Sequence, residues 1–171
     1  LNVGRYVPQK RQRDLIDAMA ILTEAVPDAT LHIVGGSGPL KSDLRTRASE
    51  RSVADAVTVT GFVPDVAAYY TAADAFVSSS VSEGLPVTIL EAMSSGLPVV
   101  GTDIPGVDEV VEQEESGYLV SPEDPSSLAG AMERLADDET RQRLGENGHE
   151  RARKRFDVRQ MVDAYHDLYL D

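Results

Sequence analysis

Six short apolar runs rich in β-branched residues alternate with longer amphipathic stretches, and this alternation constrains the fold more than any other feature. The runs are Leu1–Gly4, Thr30–Val34, Val57–Thr60, Ala75–Ser78, Pro98–Thr102 and Gly117–Val120. Runs of this length bounded by Gly, Pro or Asp read as strands. Between them Leu15, Ile16, Met19, Ile21, Leu22 and Val26 recur at helix-face spacing and stop at Pro27-Asp28. Leu40–Arg51, Pro86–Ser95 and Ser126–Ala136 carry similar helical patterns. Strands that alternate with helices pack as a parallel sheet covered on both faces, so the expected class is α/β, a Rossmann-like parallel sheet flanked by helices. From Asp138 to Asp171 the strand pattern stops. Polar helix formers lead to a break at Phe156-Asp157, and Val158, Met161, Val162, Tyr165, Leu168 and Tyr169 then recur at helical spacing. The tail, approximately residues 138–171, is therefore expected to be helical. A chain of 171 residues is the size of one domain, here residues 1–171, and buries a core without staples.

Composition removes several function classes. With 29 acidic against 16 basic side chains the formal net charge is -13, which argues against a general binder of nucleic acid or anionic membranes. The absence of Cys removes disulfides, zinc–thiolate sites and thiol chemistry together. No stretch approaches the roughly 18 apolar residues of a membrane span, and the N-terminus has no basic-then-apolar leader pattern. The chain opens without Met inside a strand-like segment, which points to a piece of a longer polypeptide. Lys10, Lys41 and Lys154 are the only lysines; every other cation is Arg. An acid-rich, Lys-poor surface of this kind resembles proteins of salt-loving organisms, and predicts a melting temperature that rises with KCl.

In sheets of this class ligands sit beyond the carboxyl ends of the strands, where strand order reverses, so the loops after the strands are the place to look. The loop after the first strand carries Arg5, Lys10, Arg11 and Arg13 with no acid before Asp14. Cations leading into a helix N-terminus suit an oxyanion such as phosphate; a solvated loop whose cations pair with scattered acids is the equal alternative. The second strand ends in Gly35-Gly36-Ser37-Gly38-Pro39, which in isolation reads as a tight strand-to-helix turn, although such glycines also let backbone N–H groups approach an anion. The fourth strand leads into Ser78–Val87, where Pro86 suits the first turn of a helix. That leaves Glu83 in the preceding loop and Glu91 inside the helix among Ile89, Leu90, Ala92 and Met93. A carboxylate in a packed helix needs a partner, and either vicinal hydroxyls or a backbone N–H would serve. Glu83, beside the free N–H groups of Gly84 and Leu85, either accepts from a sugar or faces the helix dipole. His32, His149 and His166 read as structural or solvated.

Taken in order, these segments resemble the C-terminal, nucleotide-sugar-binding half of a GT-B glycosyltransferase, most closely glycosyltransferase family 4. The resemblance rests on Gly4-Arg5 with Lys10, on Val34 through Pro39, on Gly61-Phe62-Val63, and on Glu83 and Glu91 followed by Gly96-Leu97-Pro98-Val99. Gly106 to Glu109 and Gly117-Tyr118-Leu119-Val120 also fit. It implies that Arg5, Lys10 and Glu83 are catalytic: Arg5 and Lys10 bind the donor diphosphate, and Glu83 meets the transferred sugar and distal phosphate. It assigns donor binding also to Gly4, Gly35, Gly36, Gly84 and Leu85, the ribose hydroxyls to Glu91, and the base to the Gly61-Phe62-Val63 loop. Arg11 and Leu85 depart from the family, which usually has Gly after the loop lysine and often an aromatic after the Glu-Gly pair. No Asp-x-Asp occurs in the chain, so donor binding is expected to need no metal and no cofactor.

The resemblance further implies a UDP- or GDP-linked sugar as substrate, a glycan, lipid or small-molecule acceptor, retention of anomeric configuration, and an N-terminal acceptor domain outside this chain. It also implies a cytoplasmic location, with peripheral attachment to the membrane face through that other domain. The isolated segment is expected to bind donor without turnover. Two rival readings are a GT-B nucleotide-sugar 2-epimerase and a non-catalytic α/β binding module.

Overall fold

The computed structural model describes residues 1–36 and 38–170; Ser37 of the glycine-rich turn and Asp171 at the end of the tail lie outside them. The strands are β1 (Asn2–Val3), β2 (Leu31–Val34), β3 (Val57–Val59), β4 (Phe76–Val77), β5 (Val99–Thr102) and β6 (Gly117–Val120). Each falls within one of the six runs read as strands. The helices are α1 (Gln12–Ala25), α2 (Lys41–Glu50), α3 (Ala67–Ala72), α4 (Val87–Ser94), α5 (Val107–Val110), α6 (Pro125–Arg134), α7 (Asp138–Arg155) and α8 (Val158–Leu170), and a single 3-10 turn spans Pro8–Lys10. The helical tail breaks at Phe156, as its pattern predicts. The elements the sequence did not announce are the 3-10 turn, α3 and α5, all too short to establish a period.

All strand pairs are parallel. β1, β2 and β3 pair in that order, as do β4, β5 and β6. The two groups join through Leu1, whose amine donates to the Ala75 carbonyl at 2.9 Å while its own carbonyl accepts from Val77 N at 2.8 Å. These two bonds pair Leu1 with Phe76 in parallel register and give the order 3-2-1-4-5-6. Strand order reverses between β1 and β4, so the loops that leave these strands diverge and open a crevice at their carboxyl ends.

Both faces of the sheet are buried because consecutive strand residues point to opposite sides. Val77 and Val100 join one cluster with Leu15, Ile16, Met19, Leu44 and Leu128 of α1, α2 and α6. Their neighbours Phe76 and Val99 join another with Tyr70, Ile89, Met93, Val107 and Val110 of α3, α4 and α5. Among the described residues no helix is long and apolar enough to cross a membrane.

Candidate functional site

The site grows out of the β1 and β4 loops. Beyond Gly4 the chain bends over the end of the sheet, held from below by Tyr6. The Tyr6 side chain is fully buried, and its hydroxyl donates to the carbonyls of Thr60 at 2.7 Å and Ile33 at 3.2 Å; burial raises its pKa, the leading cause. Gln12, 1% exposed, donates its amide to the Arg5 carbonyl at 2.9 Å. Gly35 is buried, and a Cβ there would lie 2.1 Å from the Gly4 carbonyl and 2.9 Å from the Tyr6 ring. Only glycine allows β2 to end that close to the β1 loop. Packing therefore accounts for Gly35 without a ligand, whereas the neighbouring Gly36 is exposed beneath Phe62.

From the other side, Ser78, Ser79 and Ser80 are all buried at the end of β4. Asn2 donates to the Val77 carbonyl at 2.8 Å and Thr102 to the Ser80 carbonyl at 2.5 Å. Ser79 Oγ lies 2.9 Å from both the Lys10 and Arg11 carbonyls, Val81 N donates to Gln9 O at 3.0 Å, and the Gln9 amide donates to the Ser82 carbonyl. These bonds stitch the two loops together across the switch point. Tyr6, Gln12 and Ser79 were missed in the sequence; the run of three serines at a strand end was the available signal for Ser79.

The stitching brings Lys10 and Glu83 into contact from opposite sides of the crevice. Lys10 Nζ lies 2.5 Å from Glu83 Oε1, with side-chain exposures of 20% and 11%. Arg5 is exposed near the same loop and makes no ion pair with a carboxylate among the described residues. The other two cations of the opening are engaged elsewhere. Arg11 pairs with Asp14 at 2.7 Å and with Glu123 at 2.6 Å, and Arg13 lies 3.5 Å from Asp43. Of the four cations that make the opening basic, three are thus matched to acids among the described residues, Lys10 to Glu83 across the crevice and Arg11 and Arg13 elsewhere, which is what the solvated-loop reading has for most of them. Arg11 also has φ 44° and ψ 37°, the left-handed conformation in which glycine is at ease. The backbone here keeps a turn that suits the glycine expected from the resemblance, and an arginine is held in it by two carboxylates.

Downstream, Gly84 is open, with nothing within 4 Å of its Cβ position, and Leu85 is 61% exposed. The loop is buttressed from β5: Gly106 has φ 88°, and a Cβ on it would lie 2.1 Å from the Gly84 carbonyl. Glu91 corrects an expectation. It is exposed rather than packed, because α4 buries Ile89, Ala92 and Met93 and turns Glu91 outward. Its carboxylate accepts from the Tyr70 hydroxyl at 2.8 Å, and burial, followed by this carboxylate, pushes the Tyr70 pKa up. The Gly61-Phe62-Val63 loop rises beside Gly36, with Phe62 74% exposed. None of the three histidines joins the site: His149 anchors α7 to the Ser94 carbonyl at 2.8 Å, His32 lies beside Tyr69, and His166 is exposed on α8. Among the described residues no three His, Asp or Glu side chains gather as a metal site would.

A parallel sheet in the order 3-2-1-4-5-6 with its polar loops meeting at the switch point is the architecture of a nucleotide-binding α/β domain, and in its solved neighbours that architecture is half of a GT-B glycosyltransferase. Residues 1–151 match the family of glycosyl transferases group 1, and the chain belongs to that family. It is 32% identical over 172 residues to a UDP-Gal:alpha-D-GlcNAc-diphosphoundecaprenol alpha-1,3-galactosyltransferase of Escherichia coli, covering 99% of this chain and 44% of that protein. It is 35% identical over 150 residues to an alpha-D-kanosaminyltransferase of Streptomyces kanamyceticus, covering 86% and 39%. The chain thus spans less than half the length of these relatives. Among solved structures, Anabaena Alr3699/HepE in complex with UDP and glucose superposes with a TM-score of 0.85 at 26% identity, over 97% of this chain and 47% of that one. TarM of S. aureus superposes with a TM-score of 0.93 over 99% of this chain and 35% of that one; at 22% identity it bears on the fold alone.

Proposed function

We propose that the chain is the donor-binding domain of a nucleotide-sugar-dependent glycosyltransferase, with the donor diphosphate held where the β1 and β4 loops meet. The carrying observation is the Lys10–Glu83 pair, two side chains 73 positions apart brought to 2.5 Å at the switch point, with Arg5 exposed in the same β1 loop. A structural ion pair alone leaves Arg5 and the open backbone of Gly84 and Leu85 without a purpose.

A donor phosphate entering beside Arg5 shares Lys10 with Glu83, and Glu83 is then free to accept from the sugar hydroxyls. In the transfer the bond from the anomeric carbon to the distal phosphate oxygen breaks, and its electron pair stays on the diphosphate. The acceptor oxygen bonds to that carbon and its proton passes to the departing diphosphate. Preorganised cations at the leaving oxygen lower the barrier because the charge develops there. Glu91 takes the ribose hydroxyls, a role consistent with its exposure, and exchanges the Tyr70 bond for them. The Gly61–Val63 loop faces the base. Retention of configuration follows the family resemblance. The acceptor site and the rest of the catalytic apparatus belong to the part of the relatives that this chain does not span, so binding without turnover is the expected behaviour of the chain alone.

Donor binding in this scheme needs no metal, since Arg5 and Lys10 supply the positive charge. Calorimetry with UDP and GDP tests the reading. One of them is expected to bind equally well with and without EDTA, and Lys10→Ala to weaken binding at least tenfold. Affinity that vanishes in EDTA contradicts metal independence; no binding of either nucleotide contradicts the reading as a whole.

A further inference from the structure

Lys41 opens α2, directly after the glycine-rich turn. Its Nζ lies 3.1 Å from the point a Cβ on Gly61 would occupy. In an acidic chain its situation stands apart from that of the other two lysines: Lys10 pairs with Glu83 and Lys154 with Glu150, whereas Lys41 pairs with no carboxylate among the described residues. Beside it Phe62 stands over Gly36, with Cδ2 3.1 Å from the Cβ position there, and the ring is 74% exposed. An exposed aromatic ring and an ammonium with no carboxylate partner among the described residues therefore converge at one place, beside the glycines of the β2–α2 turn and the β3–α3 loop.

Each of these two groups limits what the place can accept. The ring offers stacking to a flat heterocycle. An ammonium has three donors and no acceptor, so its partner must present an oxygen or a bare nitrogen. We infer that Lys41 reads the base of the donor, selecting a nucleotide with a keto oxygen at that edge, as in uracil O4 or guanine O6, over one with an amino group there, as in cytosine or adenine. The inference rests on the reading that the Gly61–Val63 loop faces the base. An exocyclic amino group turned toward Lys41 sets donor against donor, and sites that leave polar groups mispaired discriminate far more strongly than sites that merely lose apolar contact.

The test is calorimetric titration of the 171-residue chain with the matched pairs UDP and CDP, GDP and ADP. It uses wild type, Lys41→Met and Lys41→Gln, with melting temperatures confirming that each variant folds and Lys10→Ala as the control for the diphosphate. Wild type is expected to prefer the keto member of its pair at least tenfold. Lys41→Met should narrow that ratio to within about threefold. Lys41→Gln, whose amide both donates and accepts, should narrow it as well, mainly by improving binding of the amino-bearing nucleotide. If UDP or GDP binds and the ratio is unchanged in both variants, Lys41 does not read the base and the donor reading survives. If Lys41→Met weakens all four nucleotides equally, Lys41 contacts phosphate and the inference is overturned. If no nucleotide binds wild type, or Lys10→Ala changes nothing, the donor site itself is wrong and the inference falls with it.

Discussion

Arg11 concentrates the competition between backbone and side chain at this site. A non-glycine residue in the left-handed region costs about 1 kcal/mol, yet its guanidinium makes two hydrogen bonds to Asp14, at 2.7 and 3.1 Å, and an ion pair with Glu123. Those hydrogen bonds, the leading cause, raise its pKa. Asp14 has only 9% of its side chain exposed, so removing its partner strands a carboxylate at a cost of about 1–3 kcal/mol. Arg11→Gly is therefore expected to lower stability by about 1 kcal/mol despite the relaxed backbone, whereas Arg11→Gly with Asp14→Ala should recover most of the loss; urea unfolding of the two variants measures both. The chain order revealed Arg11 as a cation in a basic loop. It could not reveal that its charge is taken, because Glu123 is 112 positions away and the positive φ leaves no mark in residue type. Ser79 is the converse case. Its hydroxyl touches the Lys10 and Arg11 carbonyls, so Ser79→Ala should loosen the Lys10 loop and weaken nucleotide binding severalfold, with a stability loss of about 1 kcal/mol.

Among the turns and helices, two glycines with different duties make a paired experiment. At Gly35 a methyl would meet the Gly4 carbonyl at 2.1 Å, while at Gly84 it meets nothing within 4 Å. Gly35→Ala should cost about 3 kcal/mol through forced displacement of the β1 loop. Gly84→Ala should leave stability within about 0.5 kcal/mol of wild type yet weaken binding, because its methyl enters the open crevice. Thermal unfolding and nucleotide titration of both variants separate the two roles. The strands were legible because buried parallel strands are written as β-branched runs with sharp Gly and Pro boundaries, and α1, α2 and α4 because their periodicity is long enough to register. The side to which Glu91 turns was not. Its apolar neighbours implied a packed position, but α4 buries only Ile89, Ala92 and Met93, and a single residue of register, about 100° around the helix, separates a buried carboxylate from an exposed one.

For the molecule as a whole, the sheet order depends on Leu1 joining the two strand groups, and α8 presents an exposed apolar stripe among its described residues. Val158, Val162, Tyr165 and Tyr169 are 63%, 55%, 55% and 84% exposed at spacings of three and four along that helix. Leu168, expected to share that face, has a side chain outside the described set. Hydrogen exchange is expected to show the amides of α8 opening faster than those of α7, which packs on α4 and places Ala152 in the cluster that holds Ile89 and Met93. The arrangement of the two basic and acidic loops was legible only through the ordered set of motifs, since composition gave no more than an acidic chain with a basic opening. Within that opening the structure pairs Lys10 with Glu83 across the switch point and leaves Arg5 exposed. Mapping amide chemical shifts while UDP or GDP is added tests this placement most directly. The account expects the largest changes at Gly4–Lys10 and Ser82–Leu85, with smaller ones at Gly61–Val63. Changes confined to other surfaces, or none at saturating nucleotide, would contradict it.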